Sequence, residues 1–242
     1  MHIWMTRPRE DSAPAAAMLR AMGHEVHCAP LMTIDFDAPR RLDLSNMQAF
    51  LATSANGVRA LIHQRSDAPA LGLPVLCVGD ATCRAAHDAG FERVSSAGGD
   101  VASLAALVCD TLSPQQGRLV HITGQARAGD LAGLLAPAGF TVTIEQLYRA
   151  APVARLDAET LMLVKSGAID AVMLYSPRTA HLYVDQIASL GLADHVRGIG
   201  HFCLSRAVAE ALAPLGIDPA RRHVAPEPTQ AALFALLPEG DK

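Results

Sequence analysis

The strongest constraint on this chain is that one strand–loop–helix plan occurs in it twice. His2-Ile3-Trp4-Met5-Thr6 leads through a Pro-containing loop into an Ala-rich helix ending at Met22, then Gly23, then a strand from His24 to Ile34. From Arg118 the order returns as Leu119-Val120-His121-Ile122-Thr123, a loop, a helix from Asp130 to Ala138, Gly139 and a strand from Phe140 to Tyr148. Thr6 answers Thr123, and Gly23 answers Gly139 with one residue of slip. A second kind of unit also recurs. Ala49-Phe50-Leu51-Ala52-Thr53-Ser54 and Ala171-Val172-Met173-Leu174-Tyr175-Ser176 are short apolar strands ending at a serine. Each runs into an amphipathic helix, Val58 to Gln64 or Thr179 to Leu190. Val75 to Thr82 answers Phe202 to Val208, and both lead into Ala-rich helices stopped by Gly90 or Gly216. Asp100-Val101-Ala102-Ser103 and Glu227-Pro228-Thr229-Gln230 open the closing helices, Leu104 to Leu112 and Ala231 to Leu237.

Short apolar strands alternating with helices predict α/β architecture with parallel sheets and right-handed crossovers. Half of the 242 residues are hydrophobic but only 4% are aromatic, so Ala, Leu and Val must fill the cores. Thr141 to Tyr148 alternates apolar and polar residues, which predicts a half-exposed strand at an edge or in a connection. The Pro- and charge-rich passages 35–43 and 151–157 predict junctions between two lobes. Taken alone, the repeat suggests two consecutive lobes with a site in the cleft between them.

Several function classes are disfavoured. A net charge of −4 without a Lys/Arg run argues against nucleic-acid binding through a basic field. Five cysteines with no C-x-x-C pair read as reduced, small core residues of a cytoplasmic protein. Neither a signal peptide nor the ~20-residue apolar run of a membrane span is present. There is no G-x-x-x-x-G-K-[ST] and no G-x-S-x-G, and Gly198-Ile199-Gly200 precedes a strand instead of following one. His24-Glu25-Val26-His27 lacks metal-ligand spacing, so no metal site is expected.

In parallel sheets the loops at the carboxyl ends of the strands gather on one edge. Here those loops are 6–9, 53–57, 79–82, 123–127, 175–178 and 205–207. They are small, hydroxylated or glycine-containing, and they include Arg7, Arg9, Arg127, Arg178 and Arg206. Backbone N–H groups at helix N-termini, hydroxyls and a few guanidinium groups suit carboxylates or phosphates. The same serines and threonines also read as ordinary N-caps. Tyr148, one of three tyrosines, reads either as an amphipathic interface residue or as a phenolic acid beside the cleft.

Over essentially its whole length the chain resembles the uroporphyrinogen-III synthase family. The carriers are Thr6-Arg7-Pro8, Ala52 to Val58, Val78-Gly79-Asp80-Ala81-Thr82, Gly99 to Leu104, Leu147-Tyr148-Arg149-Ala150, Tyr175 to Ala180 and Cys203 to Leu212. Each is short and degenerate, but their order and spacing are specific. The resemblance implies cyclisation of hydroxymethylbilane with inversion of ring D and loss of water, with neither metal nor organic cofactor. It also implies two flavodoxin-like α/β domains joined by a two-stranded linker, with the ligand cleft between them. One domain is discontinuous, 1–36 plus 156–242; the other spans 44–146, with linkers at 37–43 and 147–155. The chain then crosses the junction near Thr33 to Pro39 and near Tyr148 to Arg155.

By the same resemblance Tyr148 is the catalytic residue. Arg7, Ser54, Asn56, Gly79, Thr82, Gly124, Arg127, Ser176, Ser205 and Arg206 are the candidate substrate-binding residues. Many members carry a Gly/Thr-rich turn where this chain has Ser205-Arg206-Ala207-Val208. Ser205 or Arg206 would replace the hydroxyl that Val208 lacks. A cytoplasmic monomer is implied, with hydroxymethylbilane as its ligand and transient contact with hydroxymethylbilane synthase. Two rival readings are a non-catalytic two-lobed binder of a small polyanion and a nucleotide-sugar transferase.

Overall fold

The computed structural model describes residues 1–39, 42–64, 68–125 and 129–238. In chain order the elements are β1 (His2–Met5), α1 (Arg9–Ala21), β2 (Glu25–Cys28), β3 (Met32–Phe36), β4 (Met47–Ala52), α2 (Ala55–His63), α3 (Ala68–Leu71), β5 (Val75–Cys77), α4 (Asp80–Asp88), β6 (Val94–Ser96) and α5 (Val101–Thr111). They continue with β7 (Arg118–Gly124), α6 (Leu131–Leu135), β8 (Val142–Pro152), α7 (Ala158–Lys165), β9 (Ala171–Leu174), α8 (Pro177–Ser189), α9 (Ala193–Val196), β10 (Gly200–Cys203), α10 (Arg206–Glu210), β11 (Arg222–Val224) and α11 (Gln230–Phe234). The chain divides into two compact units, Met1–Thr33 with Ala151–Lys242, and Ile34–Ala150.

The first unit holds a sheet ordered β11-β10-β9-β1-β2, whose pairs are all parallel. Counted within the unit this is the 2-1-3-4-5 order of flavodoxin-like folds. Its strands alternate sides. Trp4, Val172 and Leu174 join one buried cluster with Tyr183 and Val184 of α8. Ile3, Met5, Ala171 and Met173 join another with Leu19 of α1 and Phe234 of α11. Helices therefore cover both faces, which is why these strands read as continuous apolar runs.

The second unit is built the same way. Its sheet is ordered β3-β8-β7-β4-β5-β6. Phe50, Ala52, Val120 and Ile122 pack under α2 and α4, while Ala49, Leu51 and Leu119 pack under α5 and α6. Past β3, the strands β8, β7, β4, β5 and β6 are the repeat equivalents of β2, β1, β9, β10 and β11, in the same spatial order. Each unit thus takes its β-α-β piece from one copy of the repeat and its remaining strands from the other.

The strand expected from His24 to Ile34 is two strands in two sheets, β2 and β3. Pro30 lies in the break; it has no N–H to donate to a ladder. β3 takes the sheet edge, and β8 lies between β3 and β7. Asp37 N–H donates to the Leu147 carbonyl at 2.9 Å and Val153 N–H to that of Leu31 at 3.0 Å, so partners run in opposite senses and β3 and β8 are antiparallel. The helix expected from Asp130 to Ala138 is α-helical only to Leu135 and finishes as a 3-10 turn over Ala136–Ala138. Cys77, Cys83 and Cys203 are buried as expected, Cys28 is half-buried, and Cys109 is exposed on α5. No described helix is long and apolar enough to cross a membrane.

Candidate functional site

In an open parallel sheet, binding loops form where the connections leave neighbouring strands in opposite directions. In the second unit this place lies between the carboxyl ends of β7 and β4, and three features converge there. Ser54 caps α2, its Oγ accepting the Gly57 N–H at 3.1 Å. Tyr148 Oη lies 2.8 Å from the same Ser54 Oγ. The Tyr148 ring lies over Gly124, where a Cβ would come within 2.7 Å of two ring atoms. Gly124, a candidate ligand-binding residue, is therefore first the seat of the tyrosine.

Two local irregularities make that arrangement. Thr123 pairs with Gln146 but Gly124 pairs with Tyr148, so the register slips by one residue on β8. In a regular pleat neighbouring side chains point to opposite faces. Across this bulge Leu147 and Tyr148 both pack against the α2–α4 cluster. The second irregularity is Gly57, where a Cβ would meet the Ile122 carbonyl oxygen at 2.9 Å. Glycine there lets the first turn of α2 press onto β7, which brings Ser54 beside Tyr148.

Other candidates of this unit lie at the starts of α2 and α4. Asn56 Oδ1 accepts from Arg59 Nη1 at 2.6 Å. Gly79 begins α4 with open space around its Cα, whereas Thr82 is 5% exposed inside the first turn. Thr53 Oγ1 lies 3.3 Å from His121 Nε2. Arg127 lies outside the described residues.

In the first unit the corresponding place lies between β1 and β9. Arg7 stands one residue beyond Thr6, as Gly124 stands beyond Thr123. Its guanidinium lies 4.5 Å from the centroid of the Tyr175 ring, a cation–π contact, and 3.8 Å from Asp11. Burial pushes the Tyr175 phenol up to about 12 in pKa, with Arg7 pulling the other way. Its hydroxyl also lies 3.7 Å from Met173 Sδ. The sequence places Tyr175 in a strand-end loop and a family motif but not among the candidate site residues, because the residue before a serine cap carries no signal of its own. Thr6 Oγ1 donates to the Met173 carbonyl at 2.6 Å, tying β1 to β9. Ser176 caps α8 through the Thr179 N–H at 3.1 Å and pairs with Thr179 Oγ1 at 2.9 Å. Ser205 begins α10 without a side-chain cap bond, and Arg206 is exposed beside it. Val208, where the resemblance would place a hydroxyl, is 1% exposed and fills the core.

A separate polar chain lies deep in the first unit. Tyr183 Oη is 3.2 Å from His201 Nε2, and His201 Nδ1 is 3.1 Å from the Ile199 carbonyl. The carbonyl can only accept, so Nδ1 carries the proton and Nε2 accepts from the phenol. Burial lowers the His201 pKa to about 4 and raises that of Tyr183. This group is core structure. Among the described residues no cluster of three His, Cys, Asp or Glu side chains could hold a metal ion.

The chain matches the family model of uroporphyrinogen-III synthase HemD over residues 13–235. It is similar to the solved uroporphyrinogen-III synthetase of Helicobacter pylori, at 15% identity and TM-score 0.64, over 97% of this chain and 96% of that one. It is also similar to a mutant uroporphyrinogen III synthase of Thermus thermophilus, at 18% identity and TM-score 0.49, over 97% and 96% of the two chains. No curated protein gives a significant match. At such identities the Helicobacter pylori structure bears on the two-sheet α/β fold alone.

Proposed function

We propose that this chain, which belongs to the uroporphyrinogen-III synthase family, cyclises hydroxymethylbilane with the Tyr148 phenol as the acid that releases the terminal hydroxyl. The activity is that of a uroporphyrinogen-III synthase, a cyclising lyase that inverts ring D and releases water. The observation that carries the role of Tyr148 is its placement. The phenol sits at the carboxyl edge of the second sheet, on a glycine seat, within hydrogen-bond distance of a capping serine.

The step balances with proton transfers alone. Tyr148 Oη–H protonates the departing hydroxyl, the C–O bond breaks with its electron pair, and water leaves. The pyrrole nitrogen supplies electrons to the exposed carbon, giving the azafulvenium electrophile. The far terminal pyrrole attacks it through its substituted α-carbon to give a spiro intermediate. The bond from that carbon to its original methylene breaks and re-forms at the free α-carbon, which inverts the ring. The proton lost there as the pyrroles regain aromaticity returns to the phenolate. Carbon–carbon bond formation with loss of water needs no redox partner, so this reading uses no cofactor. Spontaneous closure gives the uninverted isomer, so holding the bilane in one conformation is the larger task. Arg7, Ser176, Ser205 and Arg206 at one sheet edge, and the α2 and α4 N-termini at the other, are the groups proposed to receive its acetates and propionates. The same reading has a cytoplasmic monomer that takes its labile substrate directly from hydroxymethylbilane synthase.

The test is isomer analysis. Hydroxymethylbilane is generated in situ by its synthase, the protein is added, the product is oxidised and the isomers are separated chromatographically. Isomer III should dominate. Persistence of isomer I overturns the reading.

A further inference from the structure

We propose that Ser54 is a positioning residue that sets the direction of the Tyr148 hydrogen bond, leaving the phenol proton free for the substrate. This rests on the assignment of Tyr148 as the acid. Ser54 Oγ accepts the Gly57 N–H at 3.1 Å and lies 2.8 Å from Tyr148 Oη. A serine hydroxyl has one proton and two lone pairs. With one lone pair held by Gly57, the contact to Tyr148 has two possible directions. If the phenol donates to the serine, its proton is already engaged. If the serine donates, the phenol oxygen accepts and its own proton points elsewhere.

The surroundings favour the second direction during reaction. Ser54 begins the nine-residue helix α2, whose N-terminal N–H groups carry partial positive charge. Negative charge builds on Tyr148 Oη as its proton moves to the leaving hydroxyl. A serine O–H aimed at Oη, itself polarised by the Gly57 N–H, stabilises that charge. The chain of contacts then runs from the Gly57 N–H to Ser54 Oγ, to Tyr148 Oη and on to the departing oxygen. Nothing in it needs to move, because Gly57 clamps α2 against Ile122 and Gly124 seats the ring. The equivalent serine in the first unit supports the point. Ser176 caps α8 in the same way, but its second contact is Thr179 Oγ1 of its own helix. Capping does not require a phenol partner, so the bond to Tyr148 is additional to the helix.

The experiment is a double-mutant cycle on kcat and KM with enzymatically generated hydroxymethylbilane. It uses wild type, Ser54→Gly, Ser54→Ala, Ser54→Thr, Tyr148→Phe and Ser54→Gly with Tyr148→Phe. Glycine caps almost as well as serine, so Ser54→Gly removes the hydroxyl while keeping the helix; melting temperatures check this. The expected result is a roughly tenfold fall in kcat for Ser54→Gly and Ser54→Ala, about one charge-assisted hydrogen bond. KM should stay within about twofold, and Ser54→Thr should restore most of kcat. In the Tyr148→Phe background, removing the hydroxyl should change kcat less than about twofold. The inference is overturned if the Ser54 effect is the same in both backgrounds, if it falls on KM alone, or if kcat is unchanged. Should wild type yield mainly isomer I, it is the assignment of function that fails. If wild type yields isomer III and the effects add, only the role of Ser54 fails.

Discussion

The two units place a tyrosine against equivalent backbone positions, yet they do so from opposite sides and to different ends. In the first unit Tyr175 follows β9 and lies against Arg7. In the second, Tyr148 comes from β8 and lies on Gly124. The residue after the shared threonine decides the outcome. Where it is arginine, the ring carries a guanidinium, and the phenol is half-buried within reach of Arg7 and of the Met173 thioether. Where it is glycine, the ring itself occupies the space, and its hydroxyl reaches the helix cap of the next strand. Duplication therefore preserved the scaffold, with its strand order and serine caps. On the reading proposed above, the first place would hold an anion and the second would deliver a proton.

The largest expected effect tests that contrast directly. Tyr148→Phe should lower kcat at least about tenfold, within reach of the 10²–10⁴ usual for a positioned acid, with an unchanged melting temperature. Tyr175→Phe keeps the ring under Arg7 and should change kcat less than about twofold. Equal losses in the two variants would erase the distinction between the units.

Acid should act next, on the first unit. His201 has a folded-state pKa of about 4, below its unfolded value near 6.5. Between these values the unfolded chain binds the extra proton, so stability is full above pH 6.5 and falls as the pH drops towards 4. The loss approaches roughly 3 kcal/mol. His24, whose pKa burial also lowers, adds in the same direction. Melting temperature followed from pH 7 to 4 should fall, and the slope should flatten in His201→Gln.

A substitution at the tyrosine seat should have an intermediate effect. Gly124→Ala places a Cβ 2.7 Å from the Tyr148 ring. We expect kcat to fall several-fold and stability by about 1–3 kcal/mol, read from initial rates and urea unfolding. The smallest expected effect on stability is at the matched caps. Ser54→Ala and Ser176→Ala should each cost about 1 kcal/mol of stability, since each removes one N-cap acceptor. Their kinetics should diverge, with Ser54→Ala lowering kcat and Ser176→Ala raising KM.

Much of this was readable from local patterns. The repeat marked out the equivalent strands, and the apolar runs implied sheets covered on both faces. Asp100, Ser54 and Ser176 stood where helices begin, and all three side chains cap. These features are set within a few residues by periodicity and by the orphan N–H groups of a helix start. Other features had no local signal. Gly124 read as a loop glycine, and only its contact with a ring far along β8 explains it. Cys109, apolar in type, sits on the exposed side of α5 because helix phase, not composition, decides burial.

The sequence by itself determined that the chain makes two like α/β sheets with polar loops at their carboxyl edges. Only the tertiary structure decided that the chain breaks near Pro30 into strands of different sheets, and that a one-residue slip on β8 brings Tyr148 to Ser54, 94 residues away. The reason is that strand register and partner choice depend on non-local pairing. A shift of one residue turns a side chain to the opposite face, and no pattern within the strand records it.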